Sequence, residues 1–515
     1  MQPGGPLDRA GARPRLSRTR NPKLEKLNLK PETRNVELEP WNLKPSSRSF
    51  GVLGWSCALL AFAAAAAATA GTLPSPVERA LREGGIGRDR VAVWVGEVGA
   101  RRPRLSLNAA APTNPASVMK LLTTYAAIEM LGPAYTWKTR FFALAPIEDG
   151  VLHGDLHLQG GGDPALTLER FWLLLRSLRA GGLSKVRGDL VIDRGLFAPG
   201  GSAPFDENRL RAYNVAPDAL LLNFGTLRFD FAPARDTVGV RFEPQPEDFA
   251  LSNRLSLSQA PCGEWKDGVR IERGESAAGT NEVVLSGTYP AACGEKTWNL
   301  AVLDSPQLVF GIFRSLWREL GGSFAGRLRE APVPEGARLL AETESPPLAQ
   351  IIRDINKWSN NVMARQLYLT LGAQAGARPA READAEAALR AWLARRNLDF
   401  PELAIENGAG LSRRARLSAA STARLMQVAW SGALMPEFVA SLPLTAVDGT
   451  MRKRLKDSAG QAHVKTGTLD GVKTVAGYVL GRSGRRWIVV FFIRHADGPA
   501  ARAAQDALIE WVQRQ

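Results

Sequence analysis

The sequence predicts an α/β fold in which a large β-rich insertion interrupts a core of helices and a sheet. A helical pattern begins near residue 115, short alternating runs bounded by glycine, proline and aspartate fill residues 141–335, and helices return from about residue 346. Two hydrophobic β runs, Val475–Leu480 and Trp487–Ile493, precede a final helix over residues 501–512. Because the chain has 515 residues, we expect more than one domain.

The composition is that of a globular protein, with 45% hydrophobic and 23% charged residues. The formal net charge of +15 raises the question of nucleic acid. The basic residues are scattered, however, and no stripe of basic and aromatic residues or known nucleic-acid module is present. We therefore predict no nucleic-acid partner. A basic surface fits an anionic polymer or a membrane equally well.

The first 70 residues differ from the rest of the chain. Residues 1–50 are basic and rich in proline, with few large apolar side chains, which predicts a disordered extension. Residues 51–70 contain an apolar run after Arg48 and end in the small residues Ala68-Thr69-Ala70, as a secretory signal does. We predict export to the periplasm with a cleaved signal; a retained membrane anchor is the alternative.

The chain has three cysteines. Cys57 lies in the apolar run, which leaves Cys262 and Cys293 as a pair between turn-like strand ends. In an exported protein these two predict a disulfide, with two unpaired thiols as the alternative. Their spacing does not match that of zinc ligands, and we predict no metal site.

A serine and a lysine lie one helical turn apart at the start of the first core helix. Pro115 suits a first turn, and Met119, Leu122, Ala126 and Met130 recur at helical spacing as a buried face. Residues three apart on a helix are neighbours, so the Ser117 hydroxyl and the Lys120 ammonium can meet. An apolar setting lowers the proton affinity of a lysine, which can then activate a serine as a base. An ordinary turn serine beside a solvated lysine is the alternative.

Two further short motifs follow the insertion. Ser359 and Asn361 present a hydroxyl and an amide at a helix start, where a simple capping cluster is the alternative. Lys465, Thr466 and Gly467 precede a strand-like run and would bring a cation and a close backbone to a sheet edge. A plain turn between strands is the alternative there.

Taken in this order, S-x-x-K, S-x-N and K-T-G resemble the signature of penicillin-binding proteins and serine β-lactamases. A scarcity of histidine, with four in the chain, and the lack of a G-x-S-x-G motif favour a lysine base over a Ser-His-Asp triad. Residues 117 and 359 are too far apart in sequence for a compact β-lactamase-like domain without an insertion.

Further runs narrow the resemblance to one family. They are Leu158–Leu166, Gly188–Asp193, Tyr213–Asn223, Asn407–Arg413 and Leu442–Leu444. These runs are similar to the D-alanyl-D-alanine carboxypeptidase/endopeptidase family, the class C low-molecular-mass penicillin-binding proteins, from about residue 75 onward. The resemblance implies a DD-peptidase/β-lactamase-like core in two parts, residues 71–140 and 336–515, with two extra domains in residues 141–335. The middle residue of the second motif is often aspartate in this family and is Asn360 here.

The resemblance also implies roles for the motif residues. Ser117 would be the nucleophile and Lys120 the general base, while Ser359 relays a proton and Asn361 and Lys465 complete the catalytic set. The backbone N–H groups of Ser117 and Thr468 would bind the oxyanion. The substrate-binding residues would be Thr466, Gly467, Thr468 and, in the insertion, Asp206.

These roles describe a serine-type D-Ala-D-Ala carboxypeptidase/DD-endopeptidase that acts on peptidoglycan through an acyl-enzyme and is inhibited covalently by β-lactams. No metal or organic cofactor is implied, because acyl transfer here uses side chains and backbone alone. A serine β-lactamase is the first alternative, although deacylation there needs a further positioned base. A catalytically inactive wall-binding scaffold is the second. The sequence leaves open the oligomeric state and the preference between D-alanine release and cross-link cleavage.

Overall fold

The computed structural model describes residues 72–100, 102–200, 204–276 and 279–515. The predicted extension (1–50), the predicted signal (51–70) and Cys57 lie outside these residues. Within the described ranges, no helix has both the length and the apolar character needed to span a bilayer.

The helices of the described chain fall into three groups along the sequence. Two precede the insertion, two lie within it and six follow it. They are α1 (Ser75–Glu83), α2 (Met119–Leu131), α3 (Leu168–Ala180), α4 (Ser305–Glu319), α5 (Leu348–Trp358), α6 (Asn361–Gln374), α7 (Glu382–Arg395), α8 (Ala419–Ser431), α9 (Met435–Ser441) and α10 (Gly498–Gln513).

The strands follow the same division, with most of them in the insertion. Before it are β1 (Val91–Glu97) and β2 (Leu105–Leu107). Within it or at its boundaries are β3 (Lys138–Ala143), β4 (Ile147–Glu148), β5 (Val151–Leu152), β6 (Leu156–Gln159), β7 (Lys185–Val186), β8 (Leu190–Asp193), β9 (Leu227–Pro233), β10 (Val238–Glu243), β11 (Phe249–Ser258), β12 (Val269–Glu275), β13 (Asn281–Pro290), β14 (Lys296–Leu300), β15 (Ser323–Phe324), β16 (Leu328–Glu330) and β17 (Arg338–Glu344). After it are β18 (Ala462–Leu469), β19 (Val472–Leu480) and β20 (Arg486–Arg494).

The core sheet joins the two ends of the described chain. Its strand order is β18-β19-β20-β1-β2, and every neighbouring pair is antiparallel. β1 from the first part of the core pairs with β20 from the second, so that Val93 lies opposite Phe491. The sheet therefore closes only when residues before and after the insertion come together.

β20 is apolar from Trp487 to Ile493 because both faces of the core sheet are covered. Val489, Phe491 and Ile493 pack with α1 and α10 on one face. Val490 and Phe492 pack on the other face, in the cluster formed with α2, α5, α6 and α8. An antiparallel strand with one solvated face would show alternating polar residues, whereas this one shows none between Trp487 and Ile493. The predicted helix-sheet-helix core is confirmed.

The insertion is rich in strands, as the sequence predicted. Its strands form four sheets, ordered β10-β9-β14, β11-β13-β12, β15-β7-β5-β4 and β16-β8-β6-β3-β17. The first and last of these strands, β3 and β17, pair antiparallel and bring the entry and exit of the insertion together. A continuous apolar cluster that includes Phe141, Phe229, Phe313 and Trp317 fills the interior between the sheets, α3 and α4.

A disulfide joins Cys262 and Cys293, the pair expected from the sequence. The two cysteines follow β11 and β13, which are parallel neighbours in one sheet. The bridge therefore ties together the same ends of two adjacent strands. Such a link restricts the unfolded chain and suits an oxidising compartment.

Candidate active site

Ser117 lies in the 3₁₀ turn Ala116–Val118, immediately before α2. Met119, Leu122 and Ala126 of the expected buried face are fully buried and Met130 is partly buried, and the other sides of α2 are buried as well from Met119 to Ile128. Its polar side chains are satisfied inside the protein: the Thr123 hydroxyl donates to the Gly408 carbonyl at 2.7 Å and the Thr124 hydroxyl to the Lys120 carbonyl at 2.7 Å. Helix α2 lies between the core sheet and the surrounding helices, and it positions Ser117 at the edge of this packed interior.

The backbone before Ser117 is held in an unusual conformation. Ala116 has a φ of 46°, in the left-handed region that few non-glycine residues adopt. The Asn114 side chain accepts a hydrogen bond from the Ala116 N–H at 2.9 Å and donates one to the Ser412 carbonyl at 2.8 Å. At Gly410, a Cβ atom would lie 1.8 Å from the Ala116 carbonyl oxygen. The loop around Gly410 therefore packs directly against the Ala116 turn and holds it in this conformation.

The Lys120 ammonium has three acceptors. It donates to Ser117 Oγ at 3.0 Å, to Asn361 Oδ1 at 2.6 Å and to the Ala409 carbonyl at 2.6 Å. The first contact is the Ser–Lys approach predicted from the S-x-x-K spacing. The second brings together the first and second motifs, which the insertion separates in sequence.

The pKa of Lys120 lies well below its ordinary value. Burial is the largest cause, because the side chain is fully enclosed, and the nearby positive charge of Lys465 lowers the pKa further. Within the described residues, no carboxylate forms an ion pair with Lys120. Both effects favour the neutral amine form of Lys120, which can accept a proton.

The second motif sits where α5 ends and α6 begins. Ser359 follows Trp358 with a φ of 57°, which turns the chain sharply and directs the next helix away. Asn360 is the N-cap of α6, and its side chain accepts a hydrogen bond from the Met363 N–H at 3.1 Å. The capping role therefore belongs to Asn360, which leaves the side chains of Ser359 and Asn361 free to face the lysines.

The third motif lies on the edge strand β18. The Lys465 ammonium donates to Ser359 Oγ at 2.9 Å and to the Thr466 carbonyl at 2.5 Å. Burial lowers the pKa of Lys465 to about 7. The two buried lysines thus contact the two serines in parallel, Lys120 with Ser117 and Lys465 with Ser359.

Residues on β18 and β19 fit closely against the Ser117 turn. A Cβ atom at Gly467 would lie 2.8 Å from the Ser117 nitrogen and 2.2 Å from Thr474 Oγ1. The Thr474 hydroxyl donates to the Pro115 carbonyl at 2.8 Å, which fixes the turn to the sheet. Only glycine allows the strand to lie this near the Ser117 N–H.

An open cleft of about 680 Å³ lies beside the motifs. Its lining includes Asn361, Thr468 and, from the insertion, Asp206 and Tyr213. The Asp206 carboxylate accepts hydrogen bonds from the Tyr213 hydroxyl at 2.7 Å and the Asn214 amide at 2.7 Å. Burial raises the pKa of Asp206, but these hydrogen bonds lower it more, and the net pKa is below its ordinary value. Asp206 is therefore an ionised carboxylate facing the cleft.

Residues 73–515 match the D-Ala-D-Ala carboxypeptidase 3 (S13) family. The chain belongs to this family. It is thus a serine-type hydrolase of the D-Ala-D-Ala carboxypeptidase class, which confirms the family and the activity predicted from the three motifs. The S13 match begins just before α1 and continues to the last residue, so that it spans the core, the insertion and the site.

Curated relatives of the S13 chain carry the same activity in their names. A D-alanyl-D-alanine carboxypeptidase of Actinomadura sp. (strain R39) is 31% identical over 420 residues, which cover 76% of this chain and 76% of that protein. The D-alanyl-D-alanine carboxypeptidase DacB of Haemophilus influenzae is 23% identical over 384 residues, covering 73% of this chain and 80% of the relative.

Among solved structures, penicillin binding protein 4 (dacB) from Haemophilus influenzae has the same fold as this S13 chain. The two superpose with a TM-score of 0.72 at 21% identity, over 85% of this chain and 99% of that one. A second structure of that protein, complexed with a novel β-lactam, gives a TM-score of 0.69 at 20% identity.

Some residues around the S13 site had no role assigned from the sequence. The Ala409 carbonyl holds Lys120, and the Thr450 hydroxyl lies 2.8 Å from that of Thr466. Tyr213 anchors Asp206 in the cleft. Ala409 and Tyr213 lie in runs that carried the family resemblance, and this resemblance was the signal in the sequence that could have identified them. Thr450 had none.

Proposed function

We propose that this chain is a D-Ala-D-Ala carboxypeptidase/DD-endopeptidase of peptidoglycan in which Ser117 is the nucleophile and Lys120 its general base. One observation carries the proposal: Lys120 Nζ lies 3.0 Å from Ser117 Oγ and is buried without a carboxylate partner among the described residues. Burial and the charge of Lys465 favour the neutral amine form of Lys120, and a neutral amine at hydrogen-bond distance can accept the serine proton.

Acylation then proceeds by transfer of that proton. Ser117 Oγ attacks the carbonyl carbon of the penultimate D-alanine as its proton passes to Lys120 Nζ. The tetrahedral intermediate collapses when the C–N bond breaks, which leaves an ester on Ser117 and releases the amine. Lys120 then loses to solvent the proton that it took from Ser117, and water hydrolyses the ester with Lys120 as the base again. Protons balance, because the one taken from Ser117 is matched by one delivered to the leaving nitrogen.

Ser359 is the group that delivers this second proton. Its hydroxyl lies 2.9 Å from Lys465 Nζ, whose pKa of about 7 lets it donate and recover a proton near neutral pH. Asn361 accepts from Lys120 through Oδ1, so its amide nitrogen remains for the substrate backbone. Lys465 also makes the site electropositive toward an anionic substrate.

The edge strand supplies the substrate contacts. Thr466 and Thr468 have hydroxyls for the terminal carboxylate of the stem peptide, and Gly467 allows the strand to lie against the Ser117 turn. The backbone N–H groups of Ser117 and Thr468 then form the oxyanion site. The short Gly467–Ser117 approach supports this pairing.

Asp206 binds the substrate further from the reacting bond. Its ionised carboxylate lies in the cleft with Thr468, at the end of β18 away from Thr466. A cationic group on the acyl side of the stem peptide fits this position.

β-Lactams act on the same residues. The strained ring presents an amide carbonyl and a neighbouring carboxylate, as the D-Ala-D-Ala end does. Ser117 opens the ring to form an ester, and the covalently held leaving nitrogen blocks the approach of water. Covalent inhibition is therefore expected.

We also propose that the mature protein works outside the cytoplasm, in the periplasm, after export through residues 51–70. The Cys262–Cys293 disulfide supports an oxidising compartment, and a cell-wall substrate requires export. In the same proposal, residues 71–140 and 336–515 form the penicillin-binding domain, and residues 141–335 form two inserted domains. The antiparallel pairing of β3 with β17 supports a boundary where the chain enters and leaves the insertion.

A fluorescent penicillin tests the catalytic assignment. We expect it to label the wild type covalently and to leave Ser117→Ala unlabelled. Purified enzyme should also release D-alanine from a pentapeptide and monomers from cross-linked muropeptides. An unlabelled wild type would overturn the catalytic proposal, and labelling without any product from either substrate would overturn the peptidase assignment.

A further inference from the structure

An exposed tryptophan stands directly beside the proposed proton donor. Trp358 is the last residue of α5, is 59% exposed and immediately precedes Ser359. Val447, 57% exposed, lies on the loop that packs against this helix end. Large apolar side chains that are left in water beside a site commonly contact a ligand.

The loop that follows Val447 is fixed to the end of α5. Asp448 accepts a hydrogen bond from the Lys357 ammonium at 2.6 Å, and the lysine of this ion pair is buried. Gly449 lies so near that a Cβ atom there would be 2.4 Å from the Lys357 carbonyl oxygen. The backbone of Lys357, next to Trp358, is therefore packed closely against this loop.

An unpaired cation completes this surface. The Arg452 guanidinium lies 5.9 Å from the centroid of the Trp358 ring, and within the described residues no carboxylate pairs with it. Thr450, on the same loop, contacts the Thr466 hydroxyl of the third motif. We call Trp358, Val447, Thr450 and Arg452 the rim. The rim combines the exposed Trp358 indole with the positive charge of Arg452. It adjoins the second motif through Ser359 and the third motif through Thr466.

The position of the rim identifies the part of the substrate that reaches it. Ser359 is proposed to protonate the leaving nitrogen, so the leaving group lies beside Ser359 and next to Trp358. The acyl part extends the other way, toward the cleft that holds Asp206 and Tyr213. The two surfaces thus lie on opposite sides of the scissile bond.

We propose that the rim binds the leaving-group strand of a peptidoglycan cross-link. This inference rests on the proposed function. In a cross-link, the leaving nitrogen belongs to the side chain of a diamino acid, which brings an aliphatic chain and carboxylates with it. The aliphatic chain packs on the Trp358 indole, and a carboxylate pairs with Arg452. Free D-alanine, the leaving group of the carboxypeptidase reaction, is one residue long and occupies only the position at Ser359 and Thr466.

The rim therefore affects the two reactions differently. Its contacts are available to a cross-linked dimer and not to a pentapeptide that loses a single residue. Substitution of the rim lowers kcat/KM for cross-link cleavage relative to kcat/KM for D-alanine release, mainly through KM. Penicillin has no leaving-group strand to bind at the rim, because its leaving nitrogen stays attached after the ring opens. Its rate of acylation therefore shows whether the catalytic centre of a variant is intact.

The test compares purified wild type with Trp358→Ala and Arg452→Ala on a cross-linked muropeptide dimer and on a soluble pentapeptide. We expect each variant to lower the ratio of dimer to pentapeptide kcat/KM by about tenfold, the usual scale for truncating an anchoring tryptophan or arginine. Trp358→Phe should restore most of the ratio. Leu173→Ala, at a side chain on α3 that is 53% exposed, is the matched control and should leave the ratio as in the wild type.

The outcomes separate the two proposals. Wild-type enzyme that produces neither D-alanine nor monomers overturns the proposed function. Active wild type with an unchanged ratio in both variants overturns the rim, and so does an equal loss on both substrates in Arg452→Ala. Should Trp358→Ala fail to label with penicillin, the Arg452→Ala variant provides the test alone. The Arg452 side chain is exposed, and its contact within the described part of the chain is with the Trp358 ring.

Discussion

Gly467 packs so closely against Ser117 that a Cβ atom on the glycine would lie 2.8 Å from the serine nitrogen. The clash is with backbone on one side and with Thr474 Oγ1, at 2.2 Å, on the other. Neither neighbour can move without shifting the turn, because the Thr474 hydroxyl is bonded to the Pro115 carbonyl. The third motif needs glycine for this fit.

We therefore expect Gly467→Ala to lower the rate of acylation by about 100-fold, the scale of losing one oxyanion donor. The reason is displacement of the Ser117 N–H from the developing oxyanion. The measurement is the second-order rate constant for labelling with a fluorescent penicillin. Gly274→Ala is the control, since a Cβ atom at Gly274 meets nothing within 4 Å. An acylation rate in Gly467→Ala close to that of Gly274→Ala would contradict the prediction.

Lys465 should make stability depend on pH. Burial lowers its pKa from 10.5 to about 7, so between these values the unfolded chain binds a proton that the folded chain does not. Stability contributed by this group therefore rises with pH across that window and is lowest below it. The full span corresponds to about 5 kcal/mol at most.

The prediction concerns Lys465→Met, which removes the titrating group. We expect the Tm of this variant minus that of the wild type to fall steadily as pH rises from 7 to 10. Thermal unfolding at closely spaced pH values measures the trend. Lys453→Met, at an exposed lysine, is the control for lost charge alone. A difference for Lys465→Met that stays flat across the window would show that the buried amine keeps its ordinary pKa.

The sequence was sufficient for the reacting side chains because their chemistry demands fixed residue types at short spacing. Ser117 and Lys120 had to lie three apart, and Ser359 and Asn361 had to flank a helix start. In the structure the Lys120 amine contacts Ser117 and Asn361, and Ser359 contacts Lys465. The long run of strands in the insertion was equally visible, since alternation and turn residues are local signals.

What the sequence could not give depends on the tertiary fold. The Ala409 carbonyl that holds Lys120 is a backbone atom and has no side-chain signature. The apolar pattern of α2 indicated a buried face but carried no sign that Thr123 and Thr124 are buried too, with their hydroxyls bonded to carbonyl groups inside the protein. The contact of Arg452 with Trp358 joins positions far apart in sequence. Contacts between residues so far apart in sequence can be identified only from the three-dimensional structure.

Asn360 should matter for stability through its cap on α6. Asn360→Ala removes the acceptor of the Met363 N–H and should lower the free energy of unfolding by about 1 kcal/mol. Asn360→Asp keeps an oxygen at the same place and should have little effect, in line with the aspartate that the family often carries there. Urea unfolding of both variants is the measurement. Equal destabilisation by aspartate and alanine would remove the capping explanation.

The role proposed for Asp206 leads to a prediction about substrate charge. Hydrogen bonds from Tyr213 and Asn214 outweigh the effect of burial and keep its pKa below the ordinary value, so the carboxylate is ionised at neutral pH. We expect Asp206→Asn to raise KM about tenfold for a stem peptide with a free side-chain amine, because a charge-assisted hydrogen bond becomes a neutral one. Labelling by benzylpenicillin, which has no such amine, should change far less.

Two controls show whether charge is the cause. Glu207→Gln removes the adjacent, exposed carboxylate and should leave KM as in the wild type. Acetylation of the substrate amine should bring wild type and Asp206→Asn to the same KM, since no cation remains to be recognised. Steady-state D-alanine release from both peptides provides all the values. If Asp206→Asn weakens the acetylated peptide as much as the free amine, the carboxylate supports the Tyr213 loop rather than binding a cation, and the acyl-side assignment of the cleft fails.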